Sequence, residues 1–219
     1  MNTPPAFSQP QTRLTAEMDR VLKLLFESYE NLRARVRERW QRDLPFDELL
    51  FDRWERARTL GFGKGSSVYH NSYIFGDVQV GENTWIGPYT LLDGSGGLMI
   101  GSYCSISAGV QVYTHDTVKW ALTGGRAAYE RAPVVIGECC YVGSQTVIAK
   151  GVTVGDHCVI GACSFVNRDI PPYSVAFGTP CRVVGRVDVD ASGNVATLFI
   201  HKKKSKNRLP KEAQRHSGI

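Results

Sequence analysis

Ile136-Gly137-Glu138-Cys139-Cys140-Tyr141-Val142-Gly143-Ser144-Gln145-Thr146-Val147-Ile148 opens a stretch in which an aliphatic residue returns at every sixth position. The series runs Ile136, Val142, Ile148, Val154, Ile160 and Val166. A small residue follows most of its members, as at Gly137, Gly143, Ala149, Gly155 and Gly161. A second compact residue stands four places after each one: Cys140, Thr146, Val152, Cys158, Ser164 and Ile170. A fixed period of this kind signals a repeat architecture. It predicts a parallel β-helix, in which each hexad is a short strand and a corner. The aliphatic residue fills the core, the fourth-offset residue points inward beside the corner, and glycine permits the tight backbone there. Three hexads close one triangular coil of about 18 residues, and each coil buries its apolar face only by stacking on the next.

The same phase appears earlier at Val68, Ile74, Val80 and Ile86, and again at Ile100, Ile106 and Val112. Two interruptions break it. Ile86 and Ile100 are 14 residues apart, two more than two hexads, and the excess falls in Leu92-Asp93-Gly94-Ser95-Gly96-Gly97. This segment is expected to be a widened corner. Between Val112 and Ile136 the phase is lost, and residues 117–133 are expected to form a loop extruded from the coil. Long loops on a rigid scaffold are where binding and catalysis concentrate.

Outward from the ladder, the N-terminal third has a different period. Leu14, Met18, Val21, Leu25, Tyr29, Leu32, Val36 and Trp40 are spaced by three or four, which predicts an amphipathic helix ending before Pro45. A second helix is expected from Glu48 to Leu60, capped by Asp47, with Phe46 and Phe51 as a hydrophobic staple and Gly61 as its stop. The chain therefore divides into a disordered start (1–12), a helical segment (13–61), a β-helix (66–186) and a basic, disordered tail (200–219). Of the net charge of +5, the seven cations and one acid after residue 200 supply +6, leaving the rest at −1. No nucleic-acid partner is expected from a tail without aromatic residues; weak contact with an anionic membrane surface is the sharper reading of it. No stretch has the length and apolarity of a membrane span and no leader is evident, so a cytoplasmic protein is expected. The six cysteines form no C-x-x-C pair; Cys104, Cys140 and Cys158 take inward offsets and read as core filler.

The ladder resembles the hexapeptide-repeat acyltransferases, a left-handed β-helix family. The resemblance covers about Ser66 to Arg186. It is most specific in Ala132-Pro133-Val134-Val135-Ile136-Gly137, Tyr141-Val142-Gly143-Ser144, Val166-Asn167-Arg168-Asp169-Ile170-Pro171-Pro172 and Gly178-Thr179-Pro180-Cys181-Arg182-Val183-Val184-Gly185. It is nearest to the galactoside, maltose and polysaccharide O-acetyltransferases. The left hand of the coil comes from this resemblance, since parallel crossovers are usually right-handed. The resemblance also implies a homotrimer, acetyl-CoA as acyl donor bound in the groove between neighbouring β-helices, and a sugar or nucleotide-sugar acceptor, with surface polysaccharide biosynthesis suggested by the polysaccharide acetyltransferases. No metal is expected, because neither the cysteines nor the histidines have the spacing of a ligand set.

His115 stands three places after Val112, an outward offset, immediately before the expected loop. In the related enzymes a histidine in this place is the general base, and acyl transfer to a hydroxyl needs one. Asp93, Asp116 and Glu130 are the carboxylates that could fix its tautomer or meet the acceptor, and Asp116 is also placed to cap the loop. Tyr141 holds a position where relatives usually carry Trp, and reads as a wall of the acceptor or thioester site. The resemblance assigns the main chain of Ser144 and Ala162 to the pantetheine amides, and Asn167, Arg168 and Arg182 to the phosphates and adenine. Related galactoside enzymes have an Asn-Phe-Asn segment where this chain has Trp85-Ile86-Gly87-Pro88-Tyr89, so the acceptor sugar stays open. His157 shares the third offset but lies among regular coils and reads as structural, while His70 is a lesser candidate for the groove.

Other readings compete. The acceptor could be an amine on a nucleotide-linked sugar. A γ-class carbonic anhydrase has this fold but needs two histidines five residues apart, which this sequence lacks. A nucleotidyltransferase needs a preceding α/β nucleotide domain, for which the segment before the ladder is too short. A non-catalytic scaffold leaves His115 and the cofactor-end residues without a purpose. With no Gly-x-Ser-x-Gly elbow, direct transfer is favoured over a covalent intermediate.

Overall fold

The aliphatic ladder is the core of the molecule, as seen in a computed structural model that describes residues 15–199. Its members stack in three walls of a β-helix. The first face consists of β1 (Ser67–Val68), β3 (Trp85–Ile86), β5 (Ser105–Ile106), β10 (Tyr141–Val142), β13 (Val159–Ile160) and β15 (Ser174–Phe177). These strands are parallel and in register, so that Val68, Ile86, Ile106, Val142, Ile160 and Ala176 pair in succession. The second face is formed by the opening halves of β2 (Tyr73–Val80) and β4 (Leu91–Ile100), then β6 (Gln111–Val112), β11 (Val147–Ile148) and β14 (Phe165–Val166). The third is formed by the closing halves of β2 and β4, then β9 (Val134–Ile136) and β12 (Thr153–Val154). Most inward positions have no solvent exposure, and burying each such side chain stabilises the fold by about 1.5–3 kcal/mol. Cys104, Cys140 and Cys158 are buried at the fourth offset, as the repeat predicts.

Corners follow a rule of their own. The third-offset residues Asn83, Tyr89, Tyr103, Cys139, Gln145, His157 and Cys163 all adopt positive φ, between 52° and 60°. A left-handed residue there turns the chain sharply into the next strand.

The first interruption is a widened corner, as expected. β4 is one strand from Leu91 to Ile100, but its pairing with β2 shifts register in the middle, where Ser95–Gly97 bulge opposite Asp77. It turns from the second face to the third through this bulge, with Gly97 at φ 92°, instead of through a regular corner. On its other side it pairs with β6 through Leu91 and Leu92, and with β9 through Leu98 to Ile100. The middle of β4, Asp93 to Gly97, thus borders the gap where the next coil opens. From that gap the extruded segment emerges as a hairpin: β7 (His115–Asp116) pairs antiparallel with β8 (Glu130–Arg131), with a short helix, α4 (Val118–Leu122), between them. The helix and β8 both lie within what the lost period marks as loop.

The N-terminal segment contains α1 (Ala16–Trp40), α2 (Phe46–Leu50) and α3 (Arg53–Thr59). The helix expected over 48–60 is two helices. Phe51 is extended, and Asp52 caps α3 by accepting from the N–H groups of Trp54 and Glu55 at 2.8 and 3.0 Å. Asp47 lies inside α2 and is not a cap. The expected staple is absent as well: Phe46 meets Tyr29 at 5.8 Å, and Phe51 stacks on His70 at 4.0 Å. Arg56 docks α3 on the first coil by donating to the carbonyls of Tyr69 and Ser72. At the far end the sheet continues past residue 186 as an antiparallel pair, β16 (Arg182–Val189) and β17 (Val195–Phe199). The expectations for residues 1–12 and 200–219 lie outside the described residues. Among the described residues, no helix is long and apolar enough to cross a membrane.

Candidate active site

The bulged corner of β4 and the exit of the hairpin bring Asp93 and His115 together. Two glycines make the close packing there possible. A Cβ on Gly94 would stand 2.3 Å from the Asp77 carbonyl oxygen, and one on Gly96 would stand 2.5 Å from that of Thr114. Thr114 fastens the exit point. Its hydroxyl donates to the Asp93 carbonyl at 2.8 Å and accepts from the Gly96 N–H at 2.8 Å, while its own carbonyl accepts from the Ala132 N–H at 2.9 Å.

Asp93 is a buried carboxylate with its lone pairs filled. Oδ1 accepts from the Ser95 hydroxyl at 2.5 Å and the Ser95 N–H at 3.0 Å; Oδ2 accepts from the Thr114 N–H at 2.9 Å. Burial alone pushes this carboxyl up, but these bonds and the one to His115 outweigh it and hold Asp93 well below the usual carboxylate range. An ionised carboxylate only accepts. His115 Nδ1, 2.6 Å from Oδ2, must therefore carry the proton. That leaves Nε2 as the free acceptor of the imidazole. The His115 side chain is 34% exposed against 3% for Asp93, so the ring reaches solvent from a buried anchor.

Of the three carboxylates open to the sequence reading, Asp93 is thus the partner of His115. Asp116 and Glu130 are joined instead to lysines. Lys150 Nζ lies 3.2 Å from Asp116 Oδ2 and 3.2 Å from Glu130 Oε2, and Lys119 pairs with the other oxygen of Glu130. Both carboxyls are lowered, Asp116 chiefly by the Val118 N–H bond that caps α4 and Glu130 chiefly by Lys119. The sequence reading missed Lys150, Thr114 and Ser95. Ser95 and Thr114 carry the local signal of small hydroxyl residues beside the aspartate and the histidine, whereas Lys150 carries none.

Of the remaining candidates, Ser144, Ala162, Asn167 and Arg168 sit on two edges of the prism. Ser144 and Ala162 stack one coil apart on the edge between the first and second faces, where Gly143 donates to Ile160 and Cys163 donates to Ser144. Among the described residues, the N–H groups of Ser144 and Ala162 have no partner in these ladders. Asn167 and Arg168 are exposed on the edge between the second and third faces, below His115 and Lys150 in the stacking order of Val112, Ile148 and Val166. Arg182 opens β16 and donates to the Cys181 carbonyl at 2.7 Å. Tyr141 is on the first face, which does not border the His115 edge, so one chain does not bring Tyr141 and His115 together. His157 is a left-handed corner residue stacked on Tyr173 at 4.8 Å, and His70 packs under Phe51.

Comparison with known proteins agrees with the repeat. The bacterial transferase hexapeptide family (six repeats) matches residues 133–168. The chain carries the hexapeptide transferase repeat. Over 131 residues it is 34% identical to the galactoside O-acetyltransferase of Escherichia coli (strain K12), a match covering 51% of this chain and 64% of that protein, a little under two thirds. Among solved structures, a galactoside acetyltransferase in complex with coenzyme A superposes with a TM-score of 0.55 at 26% identity, covering 74% of this chain and 82% of the other. A maltose O-acetyltransferase from Clostridium difficile 630 gives 0.53 at 29% identity, covering 76% and 89%.

Proposed function

We propose that this protein is an acyltransferase that moves the acetyl group of acetyl-CoA to a sugar hydroxyl, with His115 as general base. The observation that carries the reading is the Asp93–His115 pair, standing where the coil opens. A hydroxyl bound at Nε2 of His115 gives up its proton as its oxygen attacks the thioester carbonyl carbon. The new C–O bond forms, the C–S bond breaks, and the imidazolium returns the proton to the departing thiolate. Asp93 keeps Nδ1 protonated and stabilises the positive ring while it exists.

The unpaired N–H groups of Ser144 and Ala162 fit the amide carbonyls of a pantetheine arm, and Asn167, Arg168 and Arg182 are placed for the nucleotide phosphates. Asn167 and Arg168 share the edge of His115, whereas Ser144 and Ala162 lie on the edge between the first and second faces. A complete site then needs the edge of one copy against the other edge of the next, which supports a homotrimer. Light scattering should return about three times the chain mass of 24.2 kDa. A sugar acceptor is in keeping with the galactoside and maltose O-acetyltransferases that the chain resembles, and surface polysaccharide precursors are the proposed acceptor class.

The test is a thiol-release assay with acetyl-CoA across free sugars, sugar nucleotides and amino sugars. Acceptor-dependent release with a hydroxyl sugar, lost in His115→Asn, is the expected result. Release only with amino sugars would move the reaction to nitrogen, and release unaffected by His115→Asn would end the base assignment.

A further inference from the structure

We propose that Lys150 is a positioning residue that locks the β7–β8 hairpin, and with it His115, onto the solenoid. The inference rests on the reading of His115 as the base. No residue from His115 to Pro133 is buried, so apolar packing does not set where the hairpin lies. Its attachments at the exit are the Thr114 bonds and the Asp93–His115 pair. Further out, Asp116 and Glu130 face each other across the two strands, and both reach Lys150 Nζ at 3.2 Å. Lys150 belongs to the coil that follows, two residues after Ile148, and Ile148 stacks on Val112 just before the hairpin leaves. One ammonium from a rigid corner thus holds both strands of the hairpin. Lys119 of α4 adds a second cation on Glu130, so that two cations and two anions balance.

An exposed ion pair alone contributes little. A bridging cation between two strands differs, because its loss leaves two adjacent carboxylates repelling each other beside the base. The opening this allows displaces His115 from Asp93, and misplacement of about 1 Å can cost about 10²-fold in rate. Because the clamp is only partly shielded from solvent, salt should weaken it.

The experiment compares Lys150→Gln, Lys150→Arg and wild type, each as the full chain. Hydrogen exchange is read over residues 115–132 and over the coils, and kcat and KM for acetyl-CoA are measured as a function of pH. Lys150→Gln should raise exchange in 115–132 by about tenfold while the coils keep their protection. It should also lower kcat by about tenfold with little change in KM, and Lys150→Arg should restore most of both. Unchanged exchange in the hairpin would overturn the clamp whatever the activity. Loosened exchange with unchanged kcat would overturn its role in positioning. Should Lys150→Gln fail to fold, Asp116→Asn gives the same readouts from the other side of the contact. The parallel His115→Asn protein separates the two readings: full activity there removes the base assignment and leaves the exchange test of the clamp standing.

Discussion

His115 and His157 occupy the same offset of the same repeat, three residues after an inward valine, yet end in opposite environments. His157 turns a regular corner with φ 56° and lays its ring on Tyr173. His115 does not turn. It continues as a strand, pairs with Arg131, and gives Nδ1 to a buried carboxylate. The difference lies in the neighbouring coil. Below His157 the stack is regular, whereas beside His115 the preceding coil has two extra residues that bulge its corner and present Asp93 to the histidine. A solenoid makes a reactive site by failing to repeat at one place, and the glycines of Gly94-Ser95-Gly96-Gly97 permit that failure.

The largest expected effect that separates the two histidines is on turnover. His115→Asn should lower kcat by about 10²–10⁴-fold with acetyl-CoA binding little changed, since the proposed donor contacts lie elsewhere. Steady-state kinetics together with direct titration of coenzyme A check both halves. Equal losses in His115→Asn and His157→Asn would mean that the break in the repeat has no catalytic meaning.

Next in size is Asp93→Asn, expected to lower kcat by about 10²-fold, because an amide can offer a donor to Nδ1 and favour the wrong tautomer. The same residue sets an acid limit on stability. Asp93 is depressed in the folded protein. The unfolded chain therefore binds the extra proton first, and the stability this carboxylate contributes is present above its unfolded value near 3.9. It is lost as pH falls from there towards the lower folded value. Thermal melts between about pH 6 and 3 should show wild type losing stability at the acid end and Asp93→Asn losing less of it.

These two residues also mark what the sequence reading reaches. The hexad phase locates most of the buried aliphatic residues, because a strict period survives without any knowledge of tertiary contacts. It locates His115 because the loss of period does. It leaves Asp93, Asp116 and Glu130 open, because choosing among them requires knowing how the bulged corner of β4 lies against the exit of the hairpin. Lys150 is invisible for a related reason: the corner residue of a regular hexad gains its role only from a hairpin that returns against it. The split between α2 and α3 is hidden because Phe51 keeps the helical spacing while its backbone is extended. The β16–β17 pair lies beyond the last hexad and follows no period of six.

A smaller effect tests the lower part of the His115 edge. Arg168→Ala should raise the KM for acetyl-CoA by about tenfold and leave kcat nearer to wild type, because an arginine–phosphate contact felt equally in ground and transition states changes binding alone. A matching fall in kcat would place Arg168 in the chemistry instead.

The smallest effect is expected at His157 itself, where two terms oppose each other. Asparagine tolerates the left-handed conformation better than most side chains, so His157→Asn relieves the corner backbone. It also removes the ring stacked at 4.8 Å on Tyr173, an arrangement that in aromatic pairs contributes about 0.5–1.5 kcal/mol. The stack is at the surface, so the lower end of that range applies and the two contributions nearly cancel. Denaturant unfolding should give a change within about 0.5 kcal/mol, as for surface substitutions generally, and kcat should stay within about twofold of wild type. His157→Val should be clearly worse, since a β-branched residue is a poor fit at φ 56° and loses the stack as well. If the two substitutions destabilise alike, the corner conformation is not what holds His157, and the stack on Tyr173 carries its whole contribution.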